Sequence, residues 1–97
     1  MDAIPVKILG YKKSQRYPIW RTLQAVQRTL EKEYPDLRLD TQEVTTTDEI
    51  LHYTPVIAFP SLMINGKLVC VGRSPSQSEV LKWLTTAIDE IKIPHSE

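Results

Sequence analysis

The sequence predicts an α/β domain in the order β-α-β-α-β-β-α, with a four-stranded mixed sheet flanked by helices on both faces. Three observations predict it. A strand-type run, a helical apolar stripe and an alternating run follow one another at the start of the chain. An Asn-Gly pair joins two apolar runs further on, and a second helical stripe closes the chain.

Pro5-Val6-Lys7-Ile8-Leu9-Gly10 reads as a first strand stopped by glycine, and residues 11–17 are polar and basic enough for a loop. From Pro18 the spacing changes: Ile19, Leu23, Val26, Leu30 and Tyr34 recur at intervals of three and four. Pro18 suits a first helical turn and Pro35 ends the helix. Residues 37–41 then alternate with period two, and a right-handed crossover makes this strand a parallel neighbour of the first. Thr46 and Glu49 form a capping box that opens a short helix over Ile50, Leu51 and Tyr53, limited by Pro55.

Asn65-Gly66 is the preferred pair for a two-residue type I′ hairpin. A regular hairpin about it sets Ile64 against Lys67, Leu62 against Val69, Ser61 against Cys70 and Pro60 against Val71. Both faces of the hairpin carry apolar side chains, so both call for cover. Ser76 and Glu79 form a second capping box, opening a helix with Val80, Leu84, Ala87, Ile88 and Ile91 on one stripe. Residues 93–97 are expected to fray, leaving one domain over residues 1–97 with its core at about 4–91.

The 97 residues are 41% hydrophobic and 25% charged, as expected of one globular domain. A single cysteine excludes an internal disulfide and a zinc site built from several thiolates. No apolar run approaches the roughly 18 residues of a membrane span, and no secretory signal opens the chain, so a cytoplasmic location is expected. Net charge is zero but unevenly spread. Lys7, Lys12, Lys13, Arg16, Arg21 and Arg28 face only Asp2 in the first thirty residues, whereas Glu31, Glu33, Asp36, Asp40, Glu43, Asp48 and Glu49 dominate the next thirty. Bulk electrostatics therefore argue against a nucleic-acid partner and leave room for a local basic patch.

The element order is that of a minimal thioredoxin fold. Phe59-Pro60-Ser61-Leu62-Met63-Ile64-Asn65-Gly66-Lys67, followed by Gly72-Arg73, resembles the glutaredoxins and small thioredoxin-like proteins. Their corresponding stretch holds a cis-proline, a strand, an Asn-Gly hairpin and a closing strand. The resemblance covers most of residues 4–91, with its specific part in residues 58–73, and implies a cis bond at Phe59-Pro60. In that family the first strand leads to Cys-x-x-Cys or Cys-x-x-Ser at the start of the first helix, where the helix end lowers the thiol pKa. Here the matching positions read Tyr17-Pro18-Ile19-Trp20, and the two-glycine glutathione segment of glutaredoxins is replaced by Val71-Gly72-Arg73-Ser74. Thiol–disulfide exchange cannot be carried over to a phenol and an indole. The scaffold and its proline-marked surface can.

Cys70 has two readings: a displaced redox thiol near that surface, or a small buried hydrophobe in an apolar strand. No neighbouring base in the sequence identifies an activated thiolate, which favours burial. Lys12, Lys13, Arg16 and Arg21 stand at the first helix, and the hairpin brings Arg73 alongside Pro60 at the same end of the sheet. Together they define a candidate site for an acidic protein surface or a small anion. Tyr11, Tyr17, Trp20 and Phe59 supply aromatic area, with Tyr17 the better candidate for exposure and Trp20 read as packing on the helix stripe. Trp83 reads as core-edge packing. His52 and His95 have no partner at a metal or triad spacing, and Ser74, Ser76 and Ser78 are explained by a turn and a cap. No G-x-S-x-G elbow, phosphate loop or catalytic carboxylate pair is present.

The sequence thus points to a non-enzymatic binding, adaptor or regulatory module without cofactor or metal. Its surface is Lys12, Lys13, Arg16, Tyr17, Trp20, Arg21, Phe59, Pro60 and Arg73, and its partner is another protein or a small anionic ligand, with no membrane. The alternative is a redox protein acting through Cys70.

Overall fold

In the computed structural model, which describes residues 3–54 and 58–92, seven elements follow the order β-α-β-α-β-β-α. They are β1 (Ile4–Leu9), α1 (Lys13–Glu31), β2 (Leu39–Val44), α2 (Thr47–Ile50), β3 (Ser61–Ile64), β4 (Lys67–Val71) and α3 (Gln77–Lys92). The sheet order is β2-β1-β3-β4, with β1 parallel to β2 and antiparallel to β3. Alternation along β1 sends Ile4, Val6 and Ile8 to one face, where they meet Ile19, Leu23, Val26 and Leu30 of α1 and Val80, Leu84, Ala87 and Ile88 of α3. Leu9 points the other way, into a smaller cluster with Val44 and Ile50 that Phe59, Met63 and Leu68 flank. Helices therefore lie on both faces, but α2 is only four residues long.

Several boundaries differ from the sequence-based expectation, among them β2, which starts at Leu39 and not Leu37, and α1, which ends at Glu31 ahead of Tyr34. Helix α1 begins at Lys13, not Pro18, so residues 13–17 are helical rather than loop. Lys12 has extended backbone at the N-cap, and its N–H donates to Gln15 Oε1 at 2.8 Å, while Gln15 N–H donates to Lys12 O. That arrangement satisfies the helix end without a Ser, Thr, Asp or Asn, the residues that would have marked it. Pro18 lies inside the helix and withholds one N–H from the carbonyl of Ser14, an exposed residue that water can serve. Strand β2 runs three residues beyond Thr41, because pairing with β1 continues to Leu9↔Val44. Helix α2 stops at Ile50, and Leu51 caps it.

The hairpin turns where expected, with Asn65 at φ 53° and Gly66 at φ 80°, the two positive values of a type I′ turn. Its register changes along β4. Ile64↔Lys67 and Met63↔Leu68 are followed by Leu62↔Cys70 and Ser61↔Val71, so Val69 is an extra residue in a β-bulge. The bulge turns both Val69 and Cys70 toward the α1–α3 core, where a regular strand would have offered one of them. Cys70 thus stands opposite Leu62 rather than Ser61, and Gly72 N–H, not Val71, reaches Pro60 O at 2.9 Å. Asn65 Nδ2 and Lys67 Nζ both reach the Glu90 carboxylate and tie the turn to α3. The expected frayed tail lies outside the described residues. Among those described, no helix is long and apolar enough to cross a membrane.

Candidate interaction surface

The C-terminal ends of β1, β2 and β4 and the N-terminal ends of β3 and α1 share one edge of the molecule. Gly10 N–H donates to Val44 O at 3.0 Å, Leu9 pairs with Ser61, and Ser61 with Val71. The loop after β1, the Phe59-Pro60 peptide and the Gly72-Arg73 turn therefore meet at that end. The Phe59-Pro60 bond is cis. Buried Ser61 donates from Oγ to Ala58 O at 2.7 Å, holding the chain that leads into it.

The five cations are not equivalent. Arg16 is a clamp: Nε donates to Glu43 Oε1 at 2.5 Å and Nη1 to Gly10 O at 2.9 Å, and only 13% of its side chain is exposed. It joins α1 to the end of β2 and is not a free cation. Arg73 forms a bidentate pair with Glu79 at 2.8 and 2.6 Å, which neutralises its charge at the start of α3. The same carboxylate accepts from Ser76 N–H, and these bonds bring the Glu79 pKa down from 4.5 to about 2. Arg21 lies over the Tyr17 ring, 5.8 Å from its centroid. Lys12 and Lys13 are exposed at the helix end. Of the expected basic site, the ammonium groups therefore remain available while two guanidinium groups are committed to carboxylates.

Lys13, Arg16, Tyr17 and Trp20 recur at three and four residues along α1, so they share one flank of the helix. With Glu43 they line a concavity of about 330 Å³. Tyr17 is 52% exposed and Trp20 38%, so Trp20 does not pack into the apolar stripe as its position suggested. Glu43 places that flank beside the end of β2, the terminal strand of the sheet. Pro18 and Arg21 line a second concavity with Thr22 and Gln77. Phe59 packs instead against the α2-side cluster. Glu43 was missed by sequence reasoning. The alternation seen in residues 37–41 carries it to the α1 side once the strand is continued.

Cys70 is 3% exposed, and its Sγ donates to Arg73 O at 3.2 Å. Burial pushes the thiol up, against a smaller opposing pull from Arg73. Among the described residues no cluster of His, Cys, Asp and Glu could hold a metal ion.

An open four-stranded sheet in the order β2-β1-β3-β4, with a proline-led β3 beside the start of the first helix, defines a thioredoxin-type fold. The family model described as a thioredoxin domain matches residues 6–85, and the chain belongs to that family. A search of curated proteins found no match.

Proposed function

We propose that this thioredoxin-like domain is a non-enzymatic binding module that takes an acidic protein segment through the Lys13–Trp20 flank of α1. One observation carries the reading. The helix start at Lys13 leaves Tyr17-Pro18-Ile19-Trp20 one turn inside α1 rather than at the helix start where the family carries its thiols, and there Tyr17 and Trp20 stand exposed on a concavity flanked by Lys13. Aromatic side chains bury large area at small entropic cost, and an adjacent ammonium selects a carboxylate-bearing partner. The one-cysteine redox reading asks for an accessible thiolate, and burial of Cys70 together with its raised pKa speaks for the binding reading.

The test is a photo-crosslinking residue placed at Tyr17 and, as a control, at exposed Lys82 on α3, in cells of the source organism. A defined protein adduct from position 17, absent from position 82 and diminished by Lys13→Glu, is expected. Equal adducts from both positions, or indifference to Lys13→Glu, would refute this surface.

A further inference from the structure

Resting on the binding reading above, we propose that the partner engages as an added β-strand. It would pair with the free edge of β2 while its acidic and apolar side chains enter the Lys13–Trp20 concavity. Two independent features coincide. The first is the edge itself. β2 is the terminal strand of the sheet, six residues long, pairing with β1 without a register shift, and no described strand covers its outer side. The carbonyls of Arg38 and Val44 point inward, accepting from Ile4 N–H and Gly10 N–H. Strand alternation then sends the N–H and C=O groups of Leu39, Thr41 and Glu43 outward. The opposite edge is different: β4 carries the Val69 bulge, a feature that blunts pairing.

The second feature is what borders each face of that edge. Glu43 pairs with Ile8 in register and so shares the α1 face, where it and Arg16 form one wall of the aromatic and lysine-lined concavity. Asp40 pairs with Pro5, and Gln42 with Lys7, on the α2 face. An incoming strand therefore meets Lys13, Tyr17 and Trp20 with alternate side chains and Asp40 with those between. The complementary peptide carries glutamate and a bulky apolar residue on one face, and threonine or lysine on the other. A second copy of β2 fits less well on the α2 face, since it brings its own Asp40 to an edge that already holds one.

The probe is a seven-residue peptide, acetylated and amidated, whose even positions carry glutamate, leucine and glutamate and whose odd positions carry threonine and lysine. Its scrambled isomer and a version N-methylated on alternate backbone nitrogens serve as comparisons. Binding is followed by Trp20 fluorescence in a Trp83→Phe background, and amide hydrogen exchange is read residue by residue. On saturation, exchange at the outward amides of Thr41 and Glu43 is expected to slow at least about tenfold, because these N–H groups gain a carbonyl partner. N-methylation and Lys13→Glu are each expected to weaken binding about tenfold, the effect of roughly one or two lost hydrogen bonds or one charge pair. Thr41→Pro removes an outward donor without breaking the β1 ladder, and is expected to abolish binding with the thermal unfolding curve retained.

Equal affinity for the N-methylated peptide, or binding with unchanged exchange at Thr41 and Glu43, overturns strand addition and leaves the α1 surface standing. A concentration-dependent dimer whose protected amides are those of β2 also overturns it, by assigning the edge to self-association. Failure of every peptide to bind overturns it as well, while the crosslink from position 17 decides the binding reading separately.

Discussion

Introducing two cysteines in the double variant Tyr17→Cys/Trp20→Cys is expected to give a chain that still lacks an activated thiol. The family's nucleophile gains its low pKa from standing at a helix N-terminus, where unpaired N–H groups and the macrodipole stabilise a thiolate. In this chain α1 begins at Lys13, so position 17 stands four residues inside the helix and beyond the first turn, where the dipole effect has faded. Two cations remain near it, Lys13 and Arg21, each one turn away on the helix. At roughly 6 Å in water, each lowers a neighbouring thiol pKa by about a quarter of a unit after salt screening. From an ordinary 8.5 or so, the thiol introduced at position 17 is thus expected near about 8, with about a tenth of it ionised at pH 7. A thiol at a helix N-terminus, with a pKa of about 7 or below, would be at least half ionised. The assay is the pH dependence of iodoacetamide alkylation in a Cys70→Ala background, read by mass. A pKa below about 7 at position 17 would refute the argument that a position beyond the first turn gains no activation from the helix end.

Cys70 is expected to react with a thiol reagent at least about a hundredfold more slowly in the native protein than in the denatured chain, since labelling must wait for an opening of the core. Comparable rates would place Sγ at the surface. Glu79 has its folded pKa depressed to about 2 from 4.5, so its stabilisation is full above the unfolded value and fades as pH falls from about 4.5 toward 2. Thermal midpoints of the wild type and Glu79→Gln should therefore differ at neutral pH and converge at the acid end of that window. A constant difference across it would refute the assignment. A Cβ at Gly10 would come within 2.7 Å of Arg16 Cγ, so Gly10→Ala should displace the clamp and cost about 1–2 kcal/mol of stability. Combined with Arg16→Ala, its effect should be markedly less than additive in chemical denaturation, and full additivity would show the two residues to be uncoupled.

The features legible in the sequence are those that local chemistry decides. Asn65-Gly66 specifies its turn because few other pairs tolerate two positive φ angles, and the Ser76–Glu79 box marks the start of α3 because both bonds lie within one turn. The apolar stripes of α1 and α3 gave the buried layer for the same reason. What escaped was settled by contacts distant in sequence or by atypical residues. The cap at Lys12 uses a glutamine and a main-chain donor, so Pro18 looked like the helix start. The bulge at Val69 has no local marker; it follows from the gain of packing both Val69 and Cys70 against the helices. The Arg16–Glu43 pair spans 27 positions and exists only because β2 stays in register with β1 to Val44. Counting charges along the chain placed five cations at one end of the fold, but only the register shows which carboxylates meet Arg16 and which ammonium groups stay free.

The same Arg16–Glu43 pair bears on both the family's thiol chemistry and the binding surface proposed above. A dithiol at a helix N-terminus needs that helix to begin at the motif, with its first N–H groups unpaired. Here α1 begins at Lys13, and its first turn contains Arg16, whose guanidinium bonds to Gly10 O and Glu43 and so ties that turn to the ends of β1 and β2. This first turn stands between the helix end and position 17, which lies beyond the reach of the helix-end field. It also builds one wall of the concavity between α1 and the β2 edge, with Lys13 a turn earlier and Tyr17 and Trp20 following on the same flank. Replacing Arg16 by methionine, which retains a long stem but neither the charge nor the bonds, separates the two consequences. The first turn of α1 should fray, exposing the amides of residues 13–17 to faster exchange, and affinity for the alternating peptide should fall because the wall is lost. If exchange in residues 13–17 is unchanged in Arg16→Met, the turn is held by the Gln15 cap alone. The concavity would then owe its shape to α1 and not to the clamp.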